Sequence, residues 1–284
     1  FLNKIKLYTK KIVIGSAQFG LKYGISNTMG KTQINEVDEI LTFCNLNEIN
    51  SIDTAYAYGE SEKVLGKLNV SNFKIISKFI PQSKSIPSIE NQLNTSLKRL
   101  KIECLDAYLA HRPLEVSAAD WRLLNKLKAV GKFKKIGFSF NEPSEVDSIL
   151  KRGFIPDIIQ VPFNYLDNRF EEKIRMLKDD YKVEIHTRSV FLQGLFFTDP
   201  NSLSPFFNPL KKELVKISRL DKKAGSLLKF VISKDYIDKV VVGSNNLKQL
   251  EHNINEIEDA LNLDIIFNKN FPPECLIPSK WPIS

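Results

Sequence analysis

Asp53-Thr54-Ala55-Tyr56-Ala57-Tyr58-Gly59 follows from the short run 51–53, Ser77-Lys78-Phe79 closes the apolar run 74–78, and Ala110-His111-Arg112-Pro113 follows the run 107–109. Each segment sits at the end of a stretch that reads as a strand. Together they bring one Asp, one Tyr, one Lys and one His to successive strand ends. That set suits proton donation by a phenol. A free phenol titrates near ~10, and an ammonium beside it lowers that value by favouring the phenolate. A general acid works best with a pKa close to the operating pH.

Outward from these segments, strand-like runs recur at 12–15, 51–53, 74–78, 107–109, 135–138, 158–160, 183–187 and 239–242. Helical patterns separate them. Residues 36–47 carry Val37, Ile40, Leu41 and Cys44 at helical spacing, and 88–100 carry Ile89, Leu93, Leu97 and Leu100. Residues 118–130 carry Trp121, Leu124, Leu127 and Val130, with Gly131 placed as a C-terminal cap. Residues 61–68, with Ser61 as N-cap, and 144–150, 168–178, 221–233 and 247–261 complete the series. Eight strand–helix units with mostly apolar strands predict an α/β fold, a (β/α)8 TIM barrel forming a single domain over 1–284. An open doubly wound sheet would want G-x-G-x-x-G after an early strand. Gly15-Ser16-Ala17-Gln18-Phe19-Gly20 does not supply it. The aromatic stretch 192–209 and the proline-rich tail 271–281 read as binding loops.

Composition narrows the function classes. With 43% hydrophobic and 26% charged residues the chain can bury a core. The net charge of +8 would admit nucleic acid or an anionic membrane, but the lysines are scattered and not interleaved with aromatics. Neither partner is expected. Cys44, Cys104 and Cys275 fit neither a zinc site nor a disulfide framework, and the first two read as buried packing residues. His111, His186 and His252 are not at ligand spacing, so no metal is expected. No run of about eighteen apolar residues predicts a membrane span. The start, residues 1–6, is too charged for a secretory signal. A cytoplasmic protein is expected, monomeric or weakly homo-oligomeric.

On D-T-A-x-x-Y-G, the strand-end Lys78 and the strand-end His111, the chain resembles an aldo-keto reductase. The resemblance implies an NAD(P)H-dependent oxidoreductase that reduces a carbonyl to an alcohol, with cofactor NADP(H) or NAD(H). It implies a catalytic set of Asp53, Tyr58, Lys78 and His111, with Tyr58, not the neighbouring Tyr56, as proton donor. Lys78, held by Asp53, would lower the Tyr58 pKa, and His111 would orient the substrate oxygen. Cofactor positions follow in the same way. Gly15, Ser16 and Gln18 match the loop by the nicotinamide ribose. Ser139 and Gln160 match carboxamide ligands, with Phe140 in place of the usual Asn and Asn141 one residue on. Arg188 stands where many members carry an aromatic on the nicotinamide, followed by Ser189, Leu192 and Gly194. Gly243, Ser244, Gln249 and Asn253 match the phosphate and adenine segment, in which the customary basic residues are replaced and only Lys248 is cationic.

The substrate is expected to be a small carbonyl or sugar-derived molecule. Its loops are Leu21-Lys22-Tyr23-Gly24, Arg112-Pro113, Asn164-Tyr165 and 192–209. Tyr23, Phe163, Tyr165 and Phe197 would wall an apolar cavity, and Lys22, Arg112 and Arg169 would suit an anionic sugar. The wording around Gly15 and Arg188 also resembles reductases of bacterial surface-polysaccharide pathways. Two other classes remain open. One is a non-catalytic nicotinamide-binding redox sensor. The other is a barrel lyase using Lys78 as a Schiff-base nucleophile.

Overall fold

The computed structural model describes residues 7–264 and 271–282; the segment 1–6 read above lies outside them. Strands β1 (Ile12–Gly15), β2 (Ser51–Asp53), β3 (Lys74–Phe79), β4 (Leu105–Ala110), β5 (Phe133–Ser139), β6 (Ile158–Pro162), β7 (Glu184–Arg188) and β8 (Lys239–Gly243) pair in chain order. All pairings are parallel, and β1 closes on β8. The helices are α1 (Ala17–Gly20), α2 (Ile34–Leu46), α3 (Ser61–Lys67), α4 (Ile89–Leu100), α5 (Ala118–Ala129), α6 (Pro143–Lys151), α7 (Glu171–Tyr181), α8 (Lys211–Ser218), α9 (Lys223–Ile232), α10 (Leu247–Asn255) and α11 (Pro273–Leu276). The expected (β/α)8 barrel is the observed fold.

Side chains alternate across each strand, and this alternation separates two cores. Ile12, Ile14, Ile52 and Ile75 face outward into the large cluster shared with the helices. Val13, Ile76, Ala107, Leu109 and Ile158, with Val241 against them, fill the barrel interior. Two residues further along the same strands stand Gly15, Lys78, His111, Gln160 and Gly243. Asp53, Ser139 and Arg188 have the same inward parity, because the register pairs Gly15 with Asp53, Ser139 with Gln160 and Gly15 with Gly243. The site residues are thus the C-terminal layer of the barrel interior, the face on which such barrels carry their chemistry.

Caps explain several boundaries. The Ser88 hydroxyl accepts from the Asn91 amide, and Ser117 with Asp120 forms a reciprocal capping box. Gly131 follows α5 with φ +78°, as expected of a residue just past a helix. Ser61 differs from expectation. It lies inside the first turn of α3 with Glu60 as N-cap, and its buried hydroxyl donates instead to the Ser16 carbonyl. α7 runs three residues later than the predicted 168–178, and α10 stops at Asn255 rather than 261. Residues 192–210 contain two short 3-10 segments, and α8 follows them unpredicted.

Candidate active site

β2, β3 and β4 converge three of the four expected catalytic side chains, and the loop after β2 adds Tyr58. Lys78 Nζ lies 2.5 Å from Asp53 Oδ1 and donates to the Thr54 carbonyl at 2.9 Å. The Gln160 amide donates to Asp53 Oδ2 at 2.7 Å, so both carboxylate oxygens are engaged. Lys78 Nζ sits 5.1 Å from the centre of the Tyr58 ring, and the Tyr58 and His111 rings meet edge to face at 6.0 Å. Tyr58 also owes its place to Gly20. A Cβ on Gly20 would overlap the Tyr58 carbonyl oxygen and the Ser61 amide. Gly20→Ala is therefore expected to shift the tyrosine loop and to lower turnover about tenfold or more with little change in cofactor affinity, since small misplacements of reacting groups are costly. Steady-state kinetics beside a binding titration checks it; unchanged turnover would show that the loop yields freely.

The electrostatics correct one expectation. The Tyr58 phenol is not brought down by Lys78. Burial, and then the Asp53 charge, holds it well above the ordinary phenol range, and the opposing pull comes from Arg188. Lys78 is closely paired with Asp53, and it is the carboxylate of that pair whose charge bears on the phenol. Burial pushes the Lys78 ammonium itself down, against the pull of Asp53. Burial, then Lys78, Arg188 and Arg112, lowers the His111 pKa from 6.5 to about 3. At neutral pH both Tyr58 and His111 are uncharged.

The depressed His111 has a consequence for stability. The unfolded chain takes up this proton near 6.5 and the folded chain only near 3, so more protons are bound unfolded between those values. The contribution is fully present above about 6.5 and is lost as pH falls toward about 3. Thermal melts over that window are expected to fall more steeply for the native chain than for His111→Gln. Equal slopes would exclude a buried neutral imidazole.

In front of Tyr58 runs a cleft lined by Gly15, Ser16, Gln18, Asp53, Tyr58, Gln160, Arg188, Ser189, Gly194, Gly243 and Gln249 among the expected residues. Lys78, His111, Ser139, Leu192, Ser244 and Asn253 are not part of its lining. Ser139 is buried at the end of β5, and Leu192 is buried in the outer core. The Ser244 hydroxyl donates to the Asn246 carbonyl at 2.6 Å. Asn253 is buried four residues after Gln249 on α10, with its Nδ2 unpartnered. The Ser16 hydroxyl turns away from the cleft to the Asp53 carbonyl at 2.9 Å. Arg188 donates to the Phe140 carbonyl at 2.9 Å and to Asn141 Oδ1 at 2.6 Å, which ties the ends of β7 and β5 together.

Several residues around the cleft carry no motif. Ser26, Asn27, Val190, Phe191 and Gln193 line it beside Tyr23 and Phe197. Ser189, Leu192 and Gln193 hold positive φ, and at Gly194 (φ +90°) a Cβ would overlap the Ser26 hydroxyl. Such strained backbone gathers at ligand sites. Tyr23 accepts from Gln193 Nε2 at 2.7 Å, and burial raises its phenol to about 12. The relative exposure of Tyr23 is 36%, so the side chain as a whole stays open to solvent. Phe163 and Tyr165 pack on Phe230 instead of walling the cleft. Arg169 is consumed by Asp167 and Glu142, and Arg112 pairs with Glu115 at 3.6 Å.

The cleft fits a long, mixed-polarity ligand. It extends from Tyr58 to Asn245 and Gln249 at the head of α10. Gly243 keeps that end open, since a Cβ there would meet Gln18 Nε2 at 2.7 Å. Asn245 Oδ1 and Asn253 Nδ2 are buried without partners among the described residues, as polar atoms awaiting a ligand would be. Among the described residues no His, Cys, Asp and Glu cluster could hold a metal, and no helix is long and apolar enough to cross a membrane.

Comparison with known proteins agrees with this geometry. The family model described as Aldo/keto reductase family matches residues 11–266. The oxidoreductase sirO of Leptosphaeria maculans is 24% identical over 290 residues, covering 87% of this chain and 88% of that one. The NADH-specific methylglyoxal reductase of Escherichia coli is 28% identical over 180 residues, covering 52% of this chain and 54% of that one. In that second case the match spans about half of the relative. Among solved structures, an aldo-keto reductase from Bacillus halodurans in its holo form superposes with a TM-score of 0.69 at 20% identity, covering 89% of this chain and 88% of that one, a likeness of fold. The family match takes in all eight strands and every residue that lines the cleft. The chain belongs to the aldo/keto reductase family.

Proposed function

We propose that this protein reduces a small aldehyde or ketone to an alcohol with a nicotinamide dinucleotide, and that Tyr58 donates the proton. The observation that carries it is the placement of Tyr58 in the cleft, with Lys78 Nζ 5.1 Å from its ring centre and His111 against its edge. The bound dinucleotide supplies hydride to the carbonyl carbon. Tyr58 gives its proton to the carbonyl oxygen as negative charge builds there. Its raised pKa does not prevent this, because the product alkoxide is far more basic than a phenolate. The same raised pKa keeps Tyr58 protonated at rest, the form that reduction requires. The neutral His111 offers a hydrogen bond to the same oxygen, a donor fixed where charge develops. Asp53 and the Thr54 carbonyl hold Lys78 beneath the ring.

The cofactor would lie along Gly15, Gln18, Gln160, Ser189, Gly194, Gly243 and Gln249. One Gln160 N–H is used on Asp53, which leaves its amide oxygen and second N–H for a carboxamide. Tyr23, Phe191 and Phe197 give the substrate end an aromatic wall, and Arg188 supplies its cation. This suits a small oxoaldehyde, the class named for the Escherichia coli relative, or a sugar-derived carbonyl. Lys78 is 1% exposed and ion-paired, a poor Schiff-base nucleophile.

The test follows nicotinamide absorbance with NADH and with NADPH against methylglyoxal, simple aldehydes and aldoses. Carbonyl-dependent oxidation, matched by alcohol formed, is expected. Cofactor binding without consumption on any carbonyl would overturn the enzyme reading in favour of a nicotinamide-binding sensor.

A further inference from the structure

We propose that Glu36 selects NAD(H): its carboxylate sits at the head of α10, where the 2′-phosphate of NADP(H) would otherwise be held. The inference rests on the dinucleotide reading above. A helix N-terminus at the end of such a cleft is an anion site, because its amides are unpaired and the dipole favours negative charge. In this chain the Leu247 and Gln249 amides of that terminus, and the Asn245 amide just before it, are already filled. The Leu247 amide donates to Glu36 Oε1 at 2.5 Å. The Gln249 amide donates to Asn246 Oδ1 and the Asn245 amide to Gln249 Oε1, both at 2.8 Å. Of these three acceptors only Glu36 is a carboxylate, and it reaches across from the first turn of α2, 211 residues away in sequence. The Thr32 hydroxyl, just before α2, donates to the Asn245 carbonyl at 3.1 Å and fixes the two segments together.

Two consequences oppose a 2′-phosphate. The amide that would serve it is taken, and the group that takes it repels a phosphate carrying about −1.5 to −2 charges. Within 243–249 only Lys248 is basic, and it is exposed. A ribose 2′-hydroxyl meets the opposite situation. A carboxylate is the acceptor it needs, and in dinucleotide sites generally an acidic residue at the ribose marks NAD use.

The test is equilibrium binding of NADH, NADPH, ADP and adenosine 2′,5′-bisphosphate to the native chain, Glu36→Gln and Glu36→Lys, followed by fluorescence or calorimetry. The native chain is expected to bind NADH at least about tenfold more tightly than NADPH, since like charges in contact are strongly disfavoured. Glu36→Gln keeps an acceptor for the Leu247 amide but removes the charge; it should narrow the ratio several-fold, and Glu36→Lys should invert it. The two adenosine fragments should follow the same order. Should a variant fail to fold, the native ratio still reports: added salt screens the repulsion and should move NADPH toward NADH. Equal native affinities, a ratio unmoved in folded Glu36→Gln, or a gap that widens with salt would overturn the role of Glu36 and leave the reductase reading standing. Failure of all four probes to bind would overturn the dinucleotide reading as well.

Discussion

Tyr58→Phe is expected to lower turnover about 10³-fold, within the range of losses for a single general acid, while cofactor affinity stays within about threefold. The substitution removes one oxygen and keeps the ring. The contacts that position the ring, Lys78 Nζ at 5.1 Å and His111 at 6.0 Å, are made by its face and edge and survive. The melting temperature should therefore hold, and the loss should fall on turnover. Two other groups near the cleft could be thought to replace the donor. His111 cannot, because with a pKa of about 3 it has no second proton to give at neutral pH. Tyr23 has a phenol raised to about 12, but its oxygen is tied to Gln193. Tyr23→Phe is expected to cost less than about fivefold, the loss of a hydrogen bond and not of a proton source. Single-turnover reduction by the loaded protein separates the two. If Tyr58→Phe keeps a tenth of native turnover, Tyr58 is not the donor.

The strands were legible because each is a short, mostly apolar run, and in a closed barrel the alternation along it also states which residues point inward. Val13 then Gly15, Ile76 then Lys78 and Ile158 then Gln160 are two-residue steps from the packed interior to the site. Asp53, Lys78 and His111 could thus be placed on one rim, whereas Tyr58 in place of Tyr56 rests on the resemblance carried by D-T-A-x-x-Y-G. What resisted reading depends on partners distant in sequence. Arg188 looked like a lone replacement, whereas its guanidinium bridges to Phe140 and Asn141 and is the cation acting on Tyr58. The Tyr58 pKa is not legible either, because burial and the Asp53 charge, both set by the folded barrel, raise it. Glu36 resembles any first-turn helix acid until α2 is seen against α10. α8 was the avoidable omission. Leu210, Leu214 and Ile217 recur at helical spacing and are all buried, directly after the aromatic stretch 192–209.

Breaking the ion pair beneath Tyr58 should be the most damaging change to the fold. Lys78 and Asp53 side chains are 1% and 3% exposed, and removing one partner strands the other as a buried charge. Lys78→Met leaves Asp53 with only the Gln160 amide, and Asp53→Asn leaves Lys78 with the Thr54 carbonyl. Each single substitution is expected to cost about 3–5 kcal/mol, the range for uncompensated buried ions. The double substitution Lys78→Met with Asp53→Asn removes both charges, and denaturant melts should recover most of that loss. Turnover should not recover, because the group under the phenol ring is gone; a deficit of at least about 10²-fold is expected in the double variant. The divergence between stability and turnover is what distinguishes a pair kept for chemistry from one kept for the fold. If the double variant regains both, the pair is structural, and Tyr58 works without it. If the singles melt like the native chain, water reaches the pair in solution and the dry layer beneath Tyr58 does not exist.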